Sequence, residues 1–293
     1  MSDQSRFSAV LLLILLSVIW GTSFILIKYG LKVFSPDEVS ALRVSAASLV
    51  MLPFAMKRMK ELRRDHFPKL LAAGSLGVLI PSFLFPAAQT HINSSMAGIL
   101  NTLTPFFTML IGSVFFSQQF RAASIVGILL GLGGAVILML SKSNEANLTI
   151  NLYAWLVVIA CILYATNLNF TKYKIADLSP VTITSVSLVL IAPFSLAYLF
   201  GISGFTEKML HHDEAWTACG LIVLLGIMST SVAMVIFYKL VKISTPLFTS
   251  FSTYIIPIVA VMWGVADGEV LQLTHYLGMG TILLGVYLAN RKR

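Results

Sequence analysis

Charged side chains are scarce in this sequence. Only 11% of its 293 residues are Asp, Glu, Lys or Arg, whereas soluble domains carry about 25%. Hydrophobic residues make up 57% of the chain, and its mean hydropathy is +0.89. Apolar runs of about 20 residues recur, each long enough to cross a hydrocarbon core of roughly 30 Å. The composition therefore excludes a soluble globular domain and predicts a protein that crosses a membrane several times.

Carboxylates are absent from the middle of every long apolar run. All twelve Asp and Glu side chains fall in connecting segments or at the ends of the runs. An acid kept inside a membrane is costly, so it usually has a function. A pump that exchanges organic cations for protons normally needs such an acid, and its absence disfavours that mechanism.

Cysteine and the usual catalytic clusters are also scarce. Cys161 and Cys219 both lie within apolar runs, and neither is beside a second metal-type ligand. The sequence has no His/Asp/Glu constellation, no metal-ligand spacing and no phosphate-binding loop. These absences argue against a membrane-embedded enzyme, and we expect no metal and no cofactor.

A net charge of +8 would suggest nucleic acid as the partner of a soluble protein, but here membrane topology explains it and we expect no nucleic-acid partner.

The chain contains ten apolar segments separated by short connections. They lie near 9–29, 38–56, 70–91, 95–116, 122–140, 152–171, 180–200, 215–238, 246–266 and 272–290. If the N-terminus is cytoplasmic, the cytoplasmic segments hold 15 of the 20 basic residues and the outer segments hold four, with Arg43 inside a span. Cytoplasmic loops carry such an excess. The count predicts a multi-pass protein of the bacterial inner membrane with both termini in the cytoplasm.

A motif recurs on two of these segments. Residues Trp20–Lys28 read "WGTSFILIK", and residues Tyr164–Lys172 read "YATNLNFTK", 144 residues later. The dipeptide Ser-Pro recurs at the same offset, at Ser35 and Ser179. Two glycine pairs repeat at an offset of 151 residues, Gly127 with Gly278 and Gly134 with Gly285. Because the first motif lies on an outward span and the second on an inward span, the repeats are inverted.

The sequence thus predicts an all-α integral membrane fold of ten transmembrane helices arranged as two inverted five-helix repeats, residues 1–142 and 143–293. Inverted repeats are typical of secondary transporters, since two similar halves of opposite orientation can exchange conformations around a central site. Fold alone does not establish function, so the site residues must support it independently.

Several segments resemble EamA-type ten-helix members of the drug/metabolite transporter superfamily. In chain order they are "WG" at 20–21, "ALR" at 41–43, "SSMAGILNTLTPFFT" at 94–108, "GILLGLGGAVIL" at 127–138, "STPLFTSFSTYIIPIVA" at 244–260, "DGE" at 267–269 and "GTILLGVYLANRKR" at 280–293. The resemblance implies export of small metabolites through a pore lined by spans 1, 3, 4, 6, 8 and 9, with spans 5 and 10 peripheral. Members usually have a glutamate just after span 4, as Glu269 follows span 9, but this chain has Gln118 there.

Three cations lie within the spans or at their ends. Lys28 and Lys172 close the two copies of the motif; they either reach the interface as membrane anchors or guard the two mouths of one pathway. Arg43 lies about 7 Å below the outer end of span 2. It either pairs with an outer-loop carboxylate or orients an anionic group of the substrate. His91, at the outer end of span 3, is a further candidate mouth residue.

Uncharged polar and aromatic residues in the spans complete the predicted pathway. Polar groups in hydrocarbon should face protein, water or substrate, although Ser and Thr often bond to their own helix. The predicted pathway residues are Trp20, Ser23, Arg43, Gln89, Asn101, Tyr164, Asn167, Asn169, Tyr238 and Thr253. Prolines bend helices beside cavities, and the predicted hinges are Pro81, Pro86, Pro105 and Pro257.

The sequence therefore predicts a secondary transporter, an exporter or facilitator, that moves small polar metabolites by alternating access. A cavity of amides, hydroxyls and aromatic rings without a buried acid suits amino acids or related zwitterions. A proton-coupled exporter of organic cations is the alternative. The expected partners are a small-molecule substrate and the lipid bilayer, and the expected state is a monomer or weak homodimer.

Overall fold

The structure is a computed structural model that describes residues 3–60, 62–92, 94–140, 152–266 and 273–290. All the regular elements in these residues are helical. The α-helices are α1 (Asp3–Gly30), α2 (Pro36–Met59), α3 (His66–Gly74), α4 (Ile80–Gln89), α5 (Ser94–Asn101), α6 (Thr104–Phe116), α7 (Ala122–Leu140), α8 (Ala154–Lys174), α9 (Pro180–Gly201), α10 (Phe205–His211), α11 (Ala215–Leu225), α12 (Ala233–Ile243), α13 (Pro246–Ser250), α14 (Ser252–Ala266) and α15 (Leu273–Asn290). Two π-helical turns, Ser75–Leu79 and Gly226–Val232, join α3 to α4 and α11 to α12.

Six continuous helical stretches are long and apolar enough to cross a membrane. They are Phe7–Gly30, Pro36–Met59, His66–Gln89, Ala154–Lys174, Pro180–Gly201 and Ala215–Ile243. Shorter apolar helical segments cover Thr104–Phe116, Ala122–Gly134, Pro246–Val259 and Leu273–Ala289. A helix pairs its own backbone N–H and C=O groups with each other, and hydrocarbon offers these groups no other hydrogen-bond partner. The prediction of an all-helical membrane protein is therefore confirmed.

Two spans that the sequence analysis treated as continuous are interrupted. The segment near 95–116 breaks between α5 and α6 at Thr102 and Leu103, and the segment near 246–266 breaks between α13 and α14 at Phe251. Pro105 and Pro246 stand in the first turns of α6 and α13, where proline removes no intrahelical hydrogen bond. The motif residues Asp267 to Glu269 lie outside the described residues.

The repeated Ser-Pro dipeptide starts a helix at both positions. Ser35 Oγ accepts a hydrogen bond from the Glu38 amide at 3.3 Å, and Glu38 Oε2 accepts one from the Ser35 amide at 2.7 Å. This reciprocal capping box satisfies two amides that a helix start leaves unpaired. Ser179 caps α9 with its side chain only, its Oγ accepting a hydrogen bond from the Thr182 amide at 3.1 Å.

Side-chain contacts identify the two ends of the helix bundle. At one end, His66 Nε2 lies 3.1 Å from Asp177 Oδ2, and this contact joins the α2–α3 and α8–α9 connections. We call this end of the bundle the basic end, because it carries the cations of residues 57–69. There Arg63 and Lys69 both bond to Asp65, and they lower the pKa of this carboxyl to about 2.

At the other end, which we call the opposite end, Lys208 Nζ donates to Glu38 Oε2 at 2.6 Å. This ion pair joins the segment after α9 to the start of α2. The glutamate is nearly fully buried.

Helices α7 and α15 pack against each other through the repeated glycines. A Cβ atom added at Gly127 would stand 2.5 Å from the Gly285 carbonyl oxygen, and one at Gly285 would stand 2.6 Å from the Gly127 carbonyl oxygen. A Cβ at Gly134 would stand 2.8 Å from the Gly278 oxygen. Small residues let membrane helices approach this closely, and van der Waals packing then holds them together. The glycine pairs thus serve helix contact.

We predict that Gly285→Ala lowers the thermal stability of the protein, because its new methyl group meets backbone atoms that cannot move without separating α7 from α15. Overpacking of this kind costs about 1–3 kcal/mol. Gly280→Ala on the same helix is the matched control, since a Cβ there meets nothing within 4 Å. Melting temperatures in detergent check the pair; equal values would contradict the glycine contact.

Candidate substrate cavity

One cavity lies among the helices, with a volume of about 100 Å³. A water molecule needs about 10–15 Å³ by this measure, so the cavity has room for several waters or a small organic molecule. Its described lining comes from α1, α2, α4, α5, α6, α8, α12, α13, α14 and both π-helical turns. Helices α7 and α15 contribute none of the described lining residues.

The cavity forms where the helices lose their regular geometry. Gly77 and Val78 line it from one π-helical turn, and Ser229 and Thr230 line it from the other. The breaks after α5 and after α13 also lie at its edge, since residues on both sides of each break contribute to the lining. Irregular backbone is tolerated at membrane depth where it is buried in protein or lines a water-filled cavity, and π-helical turns are frequent at functional sites.

Hydrogen bonds fix α1 and α2 against the second π-helical turn. Trp20 Nε1 donates to the Ser229 carbonyl oxygen at 3.0 Å, and the Ser23 and Ser229 hydroxyls share a short hydrogen bond. Arg43 Nε donates to Thr230 Oγ1 at 2.7 Å. These bonds hold an indole and a guanidinium at the cavity surface.

Aromatic rings cover much of the remaining surface. The rings of Trp20 and Phe237 lie 5.6 Å apart, and those of Phe85 and Tyr164 are stacked at 6.1 Å. Aromatic faces pack against apolar groups and also attract ammonium groups. None of the described lining residues is Asp or Glu, so a cation in this cavity would meet ring faces and neutral acceptors rather than a carboxylate.

The structure brings together seven of the ten predicted pathway residues. Those on the cavity surface are Trp20, Ser23, Arg43, Gln89, Asn101, Tyr164 and Thr253. Of the four predicted hinges, Pro81 is on the surface, whereas Pro86, Pro105 and Pro257 are not among the lining residues.

The other three predicted residues are buried between helices, toward the basic end. Asn167 Nδ2 lies 3.4 Å from the Tyr238 hydroxyl, to which it donates. Asn169 Nδ2 donates to the Thr108 carbonyl oxygen at 3.1 Å. Gly77 makes room for this packing, because any Cβ there would overlap the Asn167 amide group. In this structure, both asparagines are used for helix contacts.

Gln118, at the position where the resemblance implied a glutamate, takes part in that packing. Its Nε2 donates to Asn169 Oδ1 at 2.7 Å, while Asn169 Nδ2 is already used in donating to two carbonyl oxygens. The chain reaches this position through Ser117, whose φ of 51° is left-handed. A glutamate at 118 would offer only acceptors to the Asn169 oxygen. The glutamine is therefore matched to this asparagine.

The candidate mouth residues differ sharply in their contacts. Lys172 Nζ donates to the carbonyl oxygens of Val241, Lys242 and Ser244 at 2.9, 3.1 and 2.6 Å. These oxygens are at the end of α12, where a helix leaves its last carbonyls unpaired and attracts a cation.

Lys28, in contrast, is exposed, and within the described residues it forms no hydrogen bond or ion pair. His91 stacks on Tyr153, with ring centroids 3.6 Å apart.

The prediction of pathway residues omitted several groups that line the cavity, above all Ser229, Thr230, Phe85 and Phe237. Helical periodicity alone did not select them, because a π-helical turn changes which side chains face inward. The cluster of small residues in "GIMSTS", Gly226 to Ser231, was the available signal.

Comparison with known proteins identifies relatives of this chain. The family model described as the EamA-like transporter family matches residues 7–140 and again residues 151–291. An uncharacterized transporter of Archaeoglobus fulgidus is 26% identical over 279 residues, covering 94% of this chain and 95% of that protein. The uncharacterized inner membrane transporter YedA of Escherichia coli K12 is 26% identical over 282 residues, covering 94% of this chain and 88% of YedA.

A third relative and a solved structure extend this comparison. A protein of Streptantibioticus cattleyicolor, named "Probable terminal-alkyne amino-acid exporter", is 24% identical over 294 residues, covering 97% of this chain and 94% of that one. A crystal structure matches with a TM-score of 0.74 at 17% identity, covering 97% of this chain and 96% of the other. This match shows a shared fold.

The cavity predicts a difference in reactivity between two serines of α1. Ser23 lines the cavity, whereas Ser17 is fully buried and bonds to the Leu13 and Ser252 carbonyl oxygens. In protein carrying Cys219→Ala, we expect Ser23→Cys to react with a small water-soluble methanethiosulfonate and Ser17→Cys to stay unreacted. The native Cys161 is buried and should stay unmodified in both variants, so it is an internal standard for folded protein. Mass spectrometry measures modification; equal labelling of both variants would contradict access to the cavity.

Proposed function

The chain belongs to the EamA-like transporter family, and on that premise we propose that it is a secondary transporter of amino acids or related zwitterions that works by alternating access. The substrate class rests on the cavity, which presents one guanidinium, amides, hydroxyls and aromatic rings but no carboxylate among its described lining residues. Such a surface suits a small molecule that carries no net positive charge. The name of the Streptantibioticus relative, an amino-acid exporter, is in keeping with this.

The proposed architecture is ten transmembrane helices in two inverted repeats. The two separate matches of the family model support it. So do the two π-helical turns, which start at Ser75 and Gly226, 151 residues apart, the offset of the repeated glycines. The bias of basic residues toward one end supports a cytoplasmic location for both termini. The description of YedA as an inner membrane transporter supports the same membrane for this chain.

Lys28 and Lys172 support alternating access, because equivalent lysines have different contacts. Lys172 bonds to the end of α12, and we infer that this contact closes the basic end. At the offset of 151, Val241 and Lys242 correspond to Thr90 and His91 at the end of α4. In the alternative conformation Lys28 would bond there and close the opposite end. In this proposal one repeated motif supplies two closure contacts, one for each end, and the hydrogen bonds of Lys172 are the first of them.

We predict that the purified protein in liposomes moves labelled amino acids without a proton gradient. A mixed panel of amino acids, organic cations and nucleosides, each tested with and without a gradient, measures this. Trp20→Ala should reduce uptake at least tenfold, because it removes both an aromatic face and the hydrogen bond to the second π-helical turn. Trp216→Ala is the matched control, since Trp216 is 74% exposed and outside the cavity.

Gradient-driven uptake of organic cations, with no uptake of amino acids, would contradict this function and favour the cation exporter. Equal uptake by Trp20→Ala and the wild type would contradict the cavity as the pathway. Both variants must elute as folded protein in size-exclusion chromatography for these results to count.

We also predict that Lys172→Met opens the basic end. The substitution removes three hydrogen bonds at a helix terminus, worth about 1–2 kcal/mol in a partly buried position, or about 5- to 30-fold in the conformational equilibrium. A cysteine placed at Ser250, on α13, should then react faster with a membrane-impermeant thiol reagent in inside-out vesicles. Lys174→Met, at an exposed lysine of the same helix, is the control. An unchanged rate for Lys172→Met would contradict the closure contact.

A further inference from the structure

Arg43 is a cation on the cavity surface without a carboxylate partner in the part of the chain that the structure describes. The nearest acid along its helix, Glu38, is already engaged by Lys208 Nζ at 2.6 Å and by the Ser35 amide. Asp37 lies 3.5 Å from the Tyr198 hydroxyl. The sequence left open that Arg43 pairs with an outer-loop carboxylate. Neither Glu38 nor Asp37 makes that pair.

The position of the guanidinium is fixed by close packing behind it. A Cβ at Gly226 would stand 2.5 Å from the Arg43 carbonyl oxygen and 3.1 Å from the Ala46 Cβ, so only glycine lets the second π-helical turn approach α2 here. One turn further on, Thr230 Oγ1 accepts the hydrogen bond from Arg43 Nε at 2.7 Å. Thr230 is 1% exposed. A guanidinium is planar, so fixing Nε also fixes the direction of the two terminal nitrogens.

A guanidinium held in this way matches a carboxylate. Its Nε is used by Thr230, and no hydrogen bond from its terminal nitrogens is made to a described residue. Two parallel N–H···O bonds from arginine to a carboxylate combine charge and geometry, and they are about twice as strong as neutral hydrogen bonds. The described lining contains no second cation, so the site can neutralise one negative charge.

The rest of the cavity fits the remaining groups of an amino acid. An ammonium group would find neutral acceptors, such as the Asn101 side chain, and the aromatic faces of Trp20 and Tyr164. A free organic cation would instead be repelled by Arg43 with no acid to compensate. The lining thus discriminates by the charge of the ligand.

We propose that Arg43, held by Thr230, is the carboxylate subsite of this transporter and sets its preference for amino acids over their uncharged or cationic derivatives. The assignment rests on the proposed function, because it names the group by which that substrate class is recognised. Arg43 contacts the substrate, and Thr230 is a positioning residue.

The test compares each amino acid with its own carboxamide, which keeps the ammonium and the side chain but loses the carboxylate. L-Alanine, L-leucine and L-phenylalanine, each with its amide, are measured by binding calorimetry on purified protein and by counterflow uptake in liposomes. The wild type should favour the acid over the amide at least tenfold. Arg43→Gln should lose that preference and bind the acids at least tenfold more weakly, since a charge-assisted hydrogen bond contributes about that factor.

Three further variants separate recognition from folding. Lys32→Gln removes one exposed cation from the same end of the protein and should leave the preference unchanged. Thr230→Val should raise KM for the acids severalfold with little change in kcat, and Thr230→Ser should restore it, because serine retains the acceptor oxygen. A purely structural role would lower kcat and the melting temperature together, without rescue by serine.

A folded Arg43→Gln protein that retains the wild-type preference for the acids would overturn the subsite while leaving amino-acid transport intact. A wild type that neither binds nor moves any of the amino acids would overturn the proposed function instead. Arg43-dependent binding of inorganic phosphate in place of the amino acids would overturn the assignment to a carboxylate.

Discussion

The structure depends on one constraint: a backbone amide or carbonyl in hydrocarbon needs a hydrogen-bond partner. Regular helices meet this requirement by themselves, which is why they form the described elements. The two π-helical turns and the two helix breaks depart from regular helical hydrogen bonding, and residues of both turns and on both sides of each break line one cavity. The positions where helical geometry fails are therefore also those where polar side chains can meet a ligand.

The packing around the cavity is as important as its surface. Gly226 brings the second π-helical turn against α2, and this contact puts Thr230 within reach of Arg43. On the other side, Gly77 admits the amide of Asn167. These two glycines have no side chain to contribute, yet each determines where a neighbouring polar group lies. The positions of these polar groups therefore depend on close helix contacts behind the cavity surface.

Side chains that correspond in the repeated motifs do not all have corresponding surroundings. Trp20 and Tyr164 both reach the cavity, but Lys172 binds the end of α12 while Lys28 remains exposed. In the candidate site too, the sequence does not determine what a polar side chain contacts. Arg43, Gln89 and Asn101 were identified as costly polar groups within a span, whereas the same argument selected Asn167 and Asn169, which bond between helices instead. The free-energy cost of a polar group in hydrocarbon indicates that the group has a hydrogen-bond partner, but it does not indicate whether that partner is another helix or a substrate.

The sequence by itself determined the membrane class, the helical fold and the family, because hydrophobic length, loop charge and motif order are properties of the chain read along one dimension. The tertiary structure alone decided which polar residues share a cavity. A π-helical turn rotates the residues that follow it, so periodicity cannot say whether Thr230 or Tyr238 faces inward. It also decided that Lys172 and not Lys28 is engaged, since that choice depends on the contact between α8 and α12 and not on either copy of the motif.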